Sequence, residues 1–443
     1  MQQKMDMTTG KIEPLLLKLA IPIILGNFIQ TASGMVNMIW VGHLGSDAVA
    51  AIGTAGFFVN LAIAFSTLIV IGAGVRISQT IGANQPQKTA VYIKTSLVLA
   101  VIVSIIFSIV IGVSAPQLIS FFNMNNPVVE QAAQSYLEKS LVGIPFLFLA
   151  TLFTTILTSY GDTTRAFHIN AAGFILNIIL DPLFIFGIGI FPQMGTDGAA
   201  VATTLARMIT AGLFIFFSKK YLIAPAKEKI SYKKAIEIMK LSFPVTLQRV
   251  IFIFITIYMA KIIVQFGTEA IAVQKIGVQI ESVTYLTIGG VQGAIAAFIG
   301  QNYGANKIDR IAKGYYKALA LVTGFGIIVG IGFVLFPRQL FSIFISDEAV
   351  ISGGVIYMVT LAISQVFMCW ELLSVGAFNG MGKTYAPPIV SIIFSLLRIP
   401  MALIFAHYIG LPGIWLSISI SSIIKGILLV VWYSITIKKA QIA

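Results

Sequence analysis

Leu44-Gly45-Ser46-Asp47-Ala48-Val49-Ala50 returns 222 residues later as Phe266-Gly267-Thr268-Glu269-Ala270-Ile271-Ala272, residue type for residue type. Working outward at the same displacement, Lys18, Leu19 and Pro22 fall on Lys240, Leu241 and Pro244, and Gln79, Gly82, Ala83 and Asn84 fall on Gln301, Gly304, Ala305 and Asn306. No gap is needed between residues 18 and 84. With the displacement changed by one, Gly161-Asp162-Thr163 meets Gly382-Lys383-Thr384. The matches include polar loop residues, which chance similarity between apolar segments does not explain, so the chain is an internal duplication.

Each copy is built for lipid. Of 443 residues, 58% are hydrophobic and 10% charged, against about 25% charged in an ordinary soluble domain. The apolar residues come in runs of about twenty, enough for a helix to cross a hydrocarbon layer of about 30 Å. Helices are expected near 15–41, 48–75, 91–115, 132–158, 166–190 and 198–218, then near 240–266, 274–300, 315–337, 354–379, 387–409 and 412–436. The expected fold is therefore an all-α polytopic membrane protein of twelve transmembrane helices. It divides into an N-lobe over 1–218, an inter-lobe loop over 219–239 and a C-lobe over 240–443. Six spans per copy is an even number, so the copies share one orientation and are related by a pseudo-two-fold axis along the membrane normal, an arrangement suited to alternating access.

Formal net charge is +13, but its distribution points to membrane topology rather than to a nucleic-acid partner. Arg76, Lys88 and Lys94 follow the second span, Lys219, Lys220, Lys227, Lys229, Lys233, Lys234 and Lys240 fill the long central loop, and Lys307, Arg310, Lys313 and Lys317 follow the eighth span. Lys438 and Lys439 close the chain on the same side. The opposite loops offer Glu130, Asp197, Asp347 and Glu348 against Arg338. The expectation is a multi-pass protein of the cell membrane with both termini cytoplasmic. The first fourteen residues are polar and run directly into a span, which predicts no cleaved signal peptide. The lone Cys369 lies in an apolar run and permits no intrachain disulfide.

Three acids stand out inside the spans: Asp181, Glu281 and Glu371. Placing a carboxylate at mid-bilayer costs at least about 2.5 kcal/mol, so each is a candidate functional group. Asn177 lies four residues before Asp181, on the same helix face. A carboxylate and an amide carbonyl together suit Na+, whereas low dielectric favours a carboxylate's neutral form and suits a proton equally. At the displacement of 221 residues, Asn177 corresponds to Arg398 and Asp181 to Ala402. The second copy offers instead Glu281, Glu371, Arg398 and Lys425, with one glutamate expected to pair with Arg398 and the other left for a cationic substrate or a proton. Pro22 and Pro244 are expected to kink their helices. Met35 and Met38 suit a surface that adapts to varied ligands, although packing is their ordinary use.

The sequence resembles the multidrug and toxic compound extrusion (MATE) family in its prokaryotic branch. The resemblance rests on Val41-Gly42-His43-Leu44-Gly45, Ile81-Gly82-Ala83-Asn84 with its copy Tyr303-Gly304-Ala305-Asn306, Asn177-Ile178-Ile179-Leu180-Asp181-Pro182, Gly198-Ala199-Ala200-Val201-Ala202-Thr203 and Gly380-Met381-Gly382-Lys383-Thr384. It implies a two-lobe, twelve-helix antiporter that expels small, mainly cationic or amphipathic organic compounds in exchange for H+ or Na+, without another cofactor. It also implies that Asn177 and Asp181 belong to an N-lobe cation site, with Thr203 a weaker addition. Many relatives carry an aspartate five residues before the Gly-His-Leu-Gly segment, where this chain has Asn37. An asparagine can offer a carbonyl to a metal ion but cannot bind and release a proton. The expected partners are small organic substrates and the lipid bilayer, not nucleic acid, and the expected state is a monomer.

Competing readings make different demands. A flippase for lipid-linked precursors calls for several cationic residues facing a phosphate, and a non-transporting receptor or scaffold need not keep acids inside both halves. A major-facilitator transporter is expected to carry an Asp-Arg signature where this chain has Ile81-Gly82-Ala83-Asn84-Gln85-Pro86-Gln87-Lys88. The Gly380–Thr384 stretch echoes a phosphate-binding loop, but Ala377 replaces its first glycine and a membrane helix precedes it. Three histidines at helix ends and one cysteine do not assemble a zinc site, and no nucleophile stands beside a plausible base, so the chain is not read as an enzyme.

Overall fold

A computed structural model describes residues 6–122, 124 and 126–442. Among them the chain is helical throughout its ordered elements. In order these are α1 (Ile12–Gly42), α2 (Ser46–Gly82), α3 (Pro86–Ser120), α4 (Pro127–Val142), α5 (Ile144–Ser159), α6 (Thr163–Phe186), α7 (Thr196–Phe217) and α8 (Lys219–Lys227). They continue as α9 (Tyr232–Val264), α10 (Thr268–Gly304), α11 (Ile308–Leu335), α12 (Pro337–Ser342), α13 (Glu348–Ala362), α14 (Ser364–Gly380), α15 (Ala386–Ile409) and α16 (Leu411–Ile442). Ten of these are long and apolar enough to cross a bilayer, and the pairs α4–α5 and α13–α14 each make one further, bent span. The count is twelve, six from each copy.

The duplication is visible in the backbone. Asn84 and Asn306 are the non-glycine residues with positive φ among the described residues, at 52° and 55°. After each asparagine the next residue's N–H reaches back across the helix end, from Gln85 to the Thr80 carbonyl at 3.0 Å and from Lys307 to the Asn302 carbonyl at 2.8 Å. The Gly-Ala-Asn motif is thus a helix stop, with asparagine tolerating the left-handed conformation that most side chains avoid. Gly161 and Gly382 repeat the device, at φ 81° and 76°, ending α5 and α14. The stretch that echoes a phosphate loop is this stop.

The spans expected at 132–158 and 354–379 are not single straight helices. The first bends by 47° at Gly143, where Pro145 in the next turn lacks an N–H to continue the ladder. The second bends by 55° at Ile363 without proline or glycine at the break. There the Leu361 carbonyl accepts from Ser364 Oγ at 2.8 Å and from Gln365 Nε2 at 3.4 Å, so side chains compete for a helix acceptor. The central loop also holds more order than its polarity suggests, because 219–227 forms α8 and α9 begins at Tyr232.

The described chain falls into two compact units, Leu25–Ser242 and Asp6–Ile24 with Phe243–Ala443. α1 changes unit two residues after Pro22 and α9 just before Pro244. In the first unit, α6 packs on α7, and α7 also meets α4 and α5. In the second, α14 packs on α10, α11 and α16, and α15 lies along α16. These are the helices that carry the intramembrane charges.

Candidate functional site

Asp181 sits near the end of α6, fully buried. Its carboxylate is held from two directions. Asn177, one turn earlier on the same helix face, donates Nδ2 to Oδ1 at 2.8 Å, and Asn37 of α1 donates Nδ2 to Oδ2 at 2.9 Å. Asn177 Nδ2 also reaches Thr203 Oγ1 of α7 at 3.4 Å. Glycines let the scaffold close: a Cβ on Gly173 would lie 2.0 Å from Thr210 Oγ1, and one on Gly198 would lie 2.4 Å from the Phe184 carbonyl, so α6 and α7 touch nearly backbone to backbone. The structure therefore brings together Asn37, Asn177, Asp181 and Thr203. Asp181 has no basic residue within ion-pairing distance among the described residues, and neutral amides alone stabilise its charge. Met35 and Met38 flank Asn37 with 46% and 44% of their surfaces exposed.

The acids of the second unit are dressed differently. Glu371 of α14 forms an ion pair with Lys425 of α16 at 2.9 Å and accepts from Ser391 Oγ of α15 at 3.0 Å. Glu281 of α10 accepts from Tyr357 OH at 3.0 Å and from Gln365 Nε2 at 2.8 Å. Arg398 donates Nε to Ser421 Oγ at 2.9 Å and lies within electrostatic range of both glutamates without an ion pair to either. The expected Glu–Arg398 pair is replaced by Glu371–Lys425, because α16 rather than α15 presents its cation to that carboxylate. All four charged residues are buried, with at most 8% of their surface exposed.

Sequence reasoning missed Lys425 as a partner, together with Tyr357, Ser391 and Ser421. A signal existed: Ser391, Ser395 and Arg398, and likewise Ser417, Ser421 and Lys425, recur at helical spacing and mark one polar stripe on each helix. Trp370 donates Nε1 to Thr323 Oγ1 at 2.7 Å and ties α14 to α11.

Comparison with known proteins agrees with this architecture. The MatE family profile matches twice, over residues 22–183 and 244–404, so the matches start 222 residues apart and end 221 apart, reproducing the internal displacement. The chain belongs to the MatE family, a family of membrane transporters. Among its relatives, the "Probable multidrug resistance protein NorM" of Thermotoga maritima is 28% identical over 94% of this chain and 91% of its own length. The "FAD transporter" of Shewanella oneidensis is 25% identical over 96% of this chain and 95% of its own. A MATE protein crystallised in its bent conformation shares the fold, with a TM-score of 0.91 at 24% identity over 98% of this chain and 97% of that one.

Proposed function

We propose that the protein lies in the cell membrane with both termini in the cytoplasm and exports small amphipathic organic compounds, cations among them, in exchange for Na+ or H+ by alternating access. The observation that carries this reading is the convergence of Asn37 and Asn177 on Asp181. A buried carboxylate held only by neutral donors can exchange its partners for a cation without stranding a resident positive charge.

The two ions would use the site differently. A proton binds Asp181 with small rearrangement, since either oxygen need only give up one amide hydrogen bond. Na+ requires the amides to rotate, so that Oδ1 of Asn37 and Oδ1 of Asn177 join the Asp181 carboxylate and Thr203 Oγ1 as hard oxygen ligands. Pro182 cannot donate to the Ile178 carbonyl, which leaves a further oxygen beside the acid without its usual helical donor. In the second unit Glu281 is the better candidate to meet a proton or cationic substrate, because Glu371 already has Lys425. Arg398, without an ion pair to it, then tempers the charge of Glu281 electrostatically.

The test is uptake of ethidium into inverted vesicles under imposed Na+ and H+ gradients in turn, with wild type beside Asp181→Asn. The expected result is gradient-driven accumulation that the variant loses. No accumulation under either gradient would remove the exporter reading, and an unimpaired variant would remove Asp181 as the coupling residue.

A further inference from the structure

Arg207 stands near the middle of α7, ten residues from Phe217 and eleven from Thr196, or about 15 Å of helix in either direction. That is too deep for its side chain to reach either interface by snorkelling. Among the described residues it forms no hydrogen bond, ion pair or ring contact, yet it is half-buried rather than sealed. A guanidinium stays charged under all ordinary conditions and presents five donors in a planar fork. Leaving such a group at mid-membrane without an acceptor is costly. In the second unit two buried cations have partners, Lys425 in Glu371 and Arg398 in Ser421, whereas Arg249 of α9, like Arg207, has none among the described residues.

Its position ties Arg207 to the Asp181 site. Arg207 follows Thr203 by four residues on the same face of α7, about 6 Å further along the axis, and Thr203 itself contacts Asn177. Tyr136 of α4 lies within electrostatic range of both Arg207 and Asp181. Asp181 is not the missing acceptor, because no ion pair joins them and its two oxygens already take the amide donors. The acceptor must come from outside the chain.

We propose that Arg207 receives an anionic group, a carboxylate or phosphate, on the transported compound, so that the cargo includes amphipathic anions and zwitterions. The inference rests on the exporter reading for the word "transported", but the binding event itself does not. An acid on α6 and a guanidinium on the antiparallel α7, to either side of the Asn177–Thr203 contact, fit a zwitterion better than a simple cation: one end of the ligand approaches Asp181, the other the fork of Arg207. Bidentate acceptance of a carboxylate by arginine supplies both energy and orientation.

The experiment is a fluorescence-anisotropy titration of purified full-length protein with rhodamine B and with rhodamine B ethyl ester, which differ in a single carboxylate. Wild type is expected to bind the acid about tenfold more tightly than the ester. Arg207→Gln should erase that preference by weakening the acid alone, and Arg207→Lys should keep part of it. Equal affinities in wild type, no saturable binding of the acid, or a preference that survives Arg207→Gln would each overturn the proposal. If Arg207→Gln does not fold, wild type and Arg207→Lys still decide it. The readout needs no ion gradient, so failure of coupling in vesicles and failure of anion recognition here are separate outcomes.

Discussion

Asp181 and Glu371 are both buried carboxylates in duplicated halves, yet one is held by two amides and the other by a lysine. The contrast separates a site that can change its occupant from one that has a permanent occupant. Amides stabilise an anion without cancelling it, so an incoming proton or Na+ finds a charge to neutralise. Lys425 cancels Glu371 from within, and three neighbouring helices are joined as a result: α14 by the glutamate, α15 by Ser391 and α16 by the lysine. On the proposed reading, the same frame carries exchange chemistry in one half, while the Glu371–Lys425 pair gives internal cross-bracing in the other.

The largest effect expected from breaking this comparison is at Asp181. Asp181→Asn should reduce gradient-driven export to the background of empty vesicles while leaving the melting temperature of the purified protein within a few degrees of wild type. It removes a charge that only neutral groups attend and replaces it with an isostere. Glu371→Gln should do the reverse. Stranding Lys425 in the interior costs about 3–5 kcal/mol, seen as a marked fall in thermal stability, and Glu371→Gln with Lys425→Met should recover most of it. A destabilised Asp181→Asn beside a stable Glu371→Gln would invert the assignment of roles.

The two sites were unequally legible in the sequence for a physical reason. Asn177 and Asp181 lie on one helix, where a spacing of four places both side chains on one face whatever the tertiary arrangement. Asn37 is 144 residues away, and its place at the site came through family resemblance rather than spacing. Glu371 and Lys425 lie on different helices, so their pairing depends on the depth and rotation of α14 against α16, which periodicity does not encode. The spans themselves were readable because hydrocarbon thickness fixes their length. The bend at Ile363 was not, since competition for the Leu361 carbonyl leaves no proline or glycine to mark it.

A smaller effect should sharpen the picture of the Asp181 shell. Removing one amide, by Asn37→Ala or Asn177→Ala, deletes a hydrogen bond to a charged group worth about 1.5–3 kcal/mol. Export should fall about tenfold in each, short of the loss in Asp181→Asn. Asn37→Asp adds a second acid and should raise the dependence of transport on the H+ gradient relative to Na+, measured as the ratio of uptake under the two gradients. An unchanged ratio would mean that Asn37 positions Asp181 without taking part in ion choice.

The smallest effect tests the shared frame rather than the chemistry built on it. Asn84 and Asn306 hold equivalent left-handed turns at φ 52° and 55°, each ending a 37-residue helix. Alanine at either position must adopt that conformation at a cost of about 1–2 kcal/mol, whereas glycine adopts it freely. Asn84→Ala and Asn306→Ala should therefore lower thermal stability by similar amounts, and the glycine variants should match or exceed wild type. Matched effects at the turns alongside opposed effects at Asp181 and Glu371 would locate the divergence of the two halves in their polar side chains alone. A large asymmetry between Asn84 and Asn306 would instead mean that the backbone frames have diverged as well, and the contrast between the acids would then reflect scaffold as much as side-chain partner.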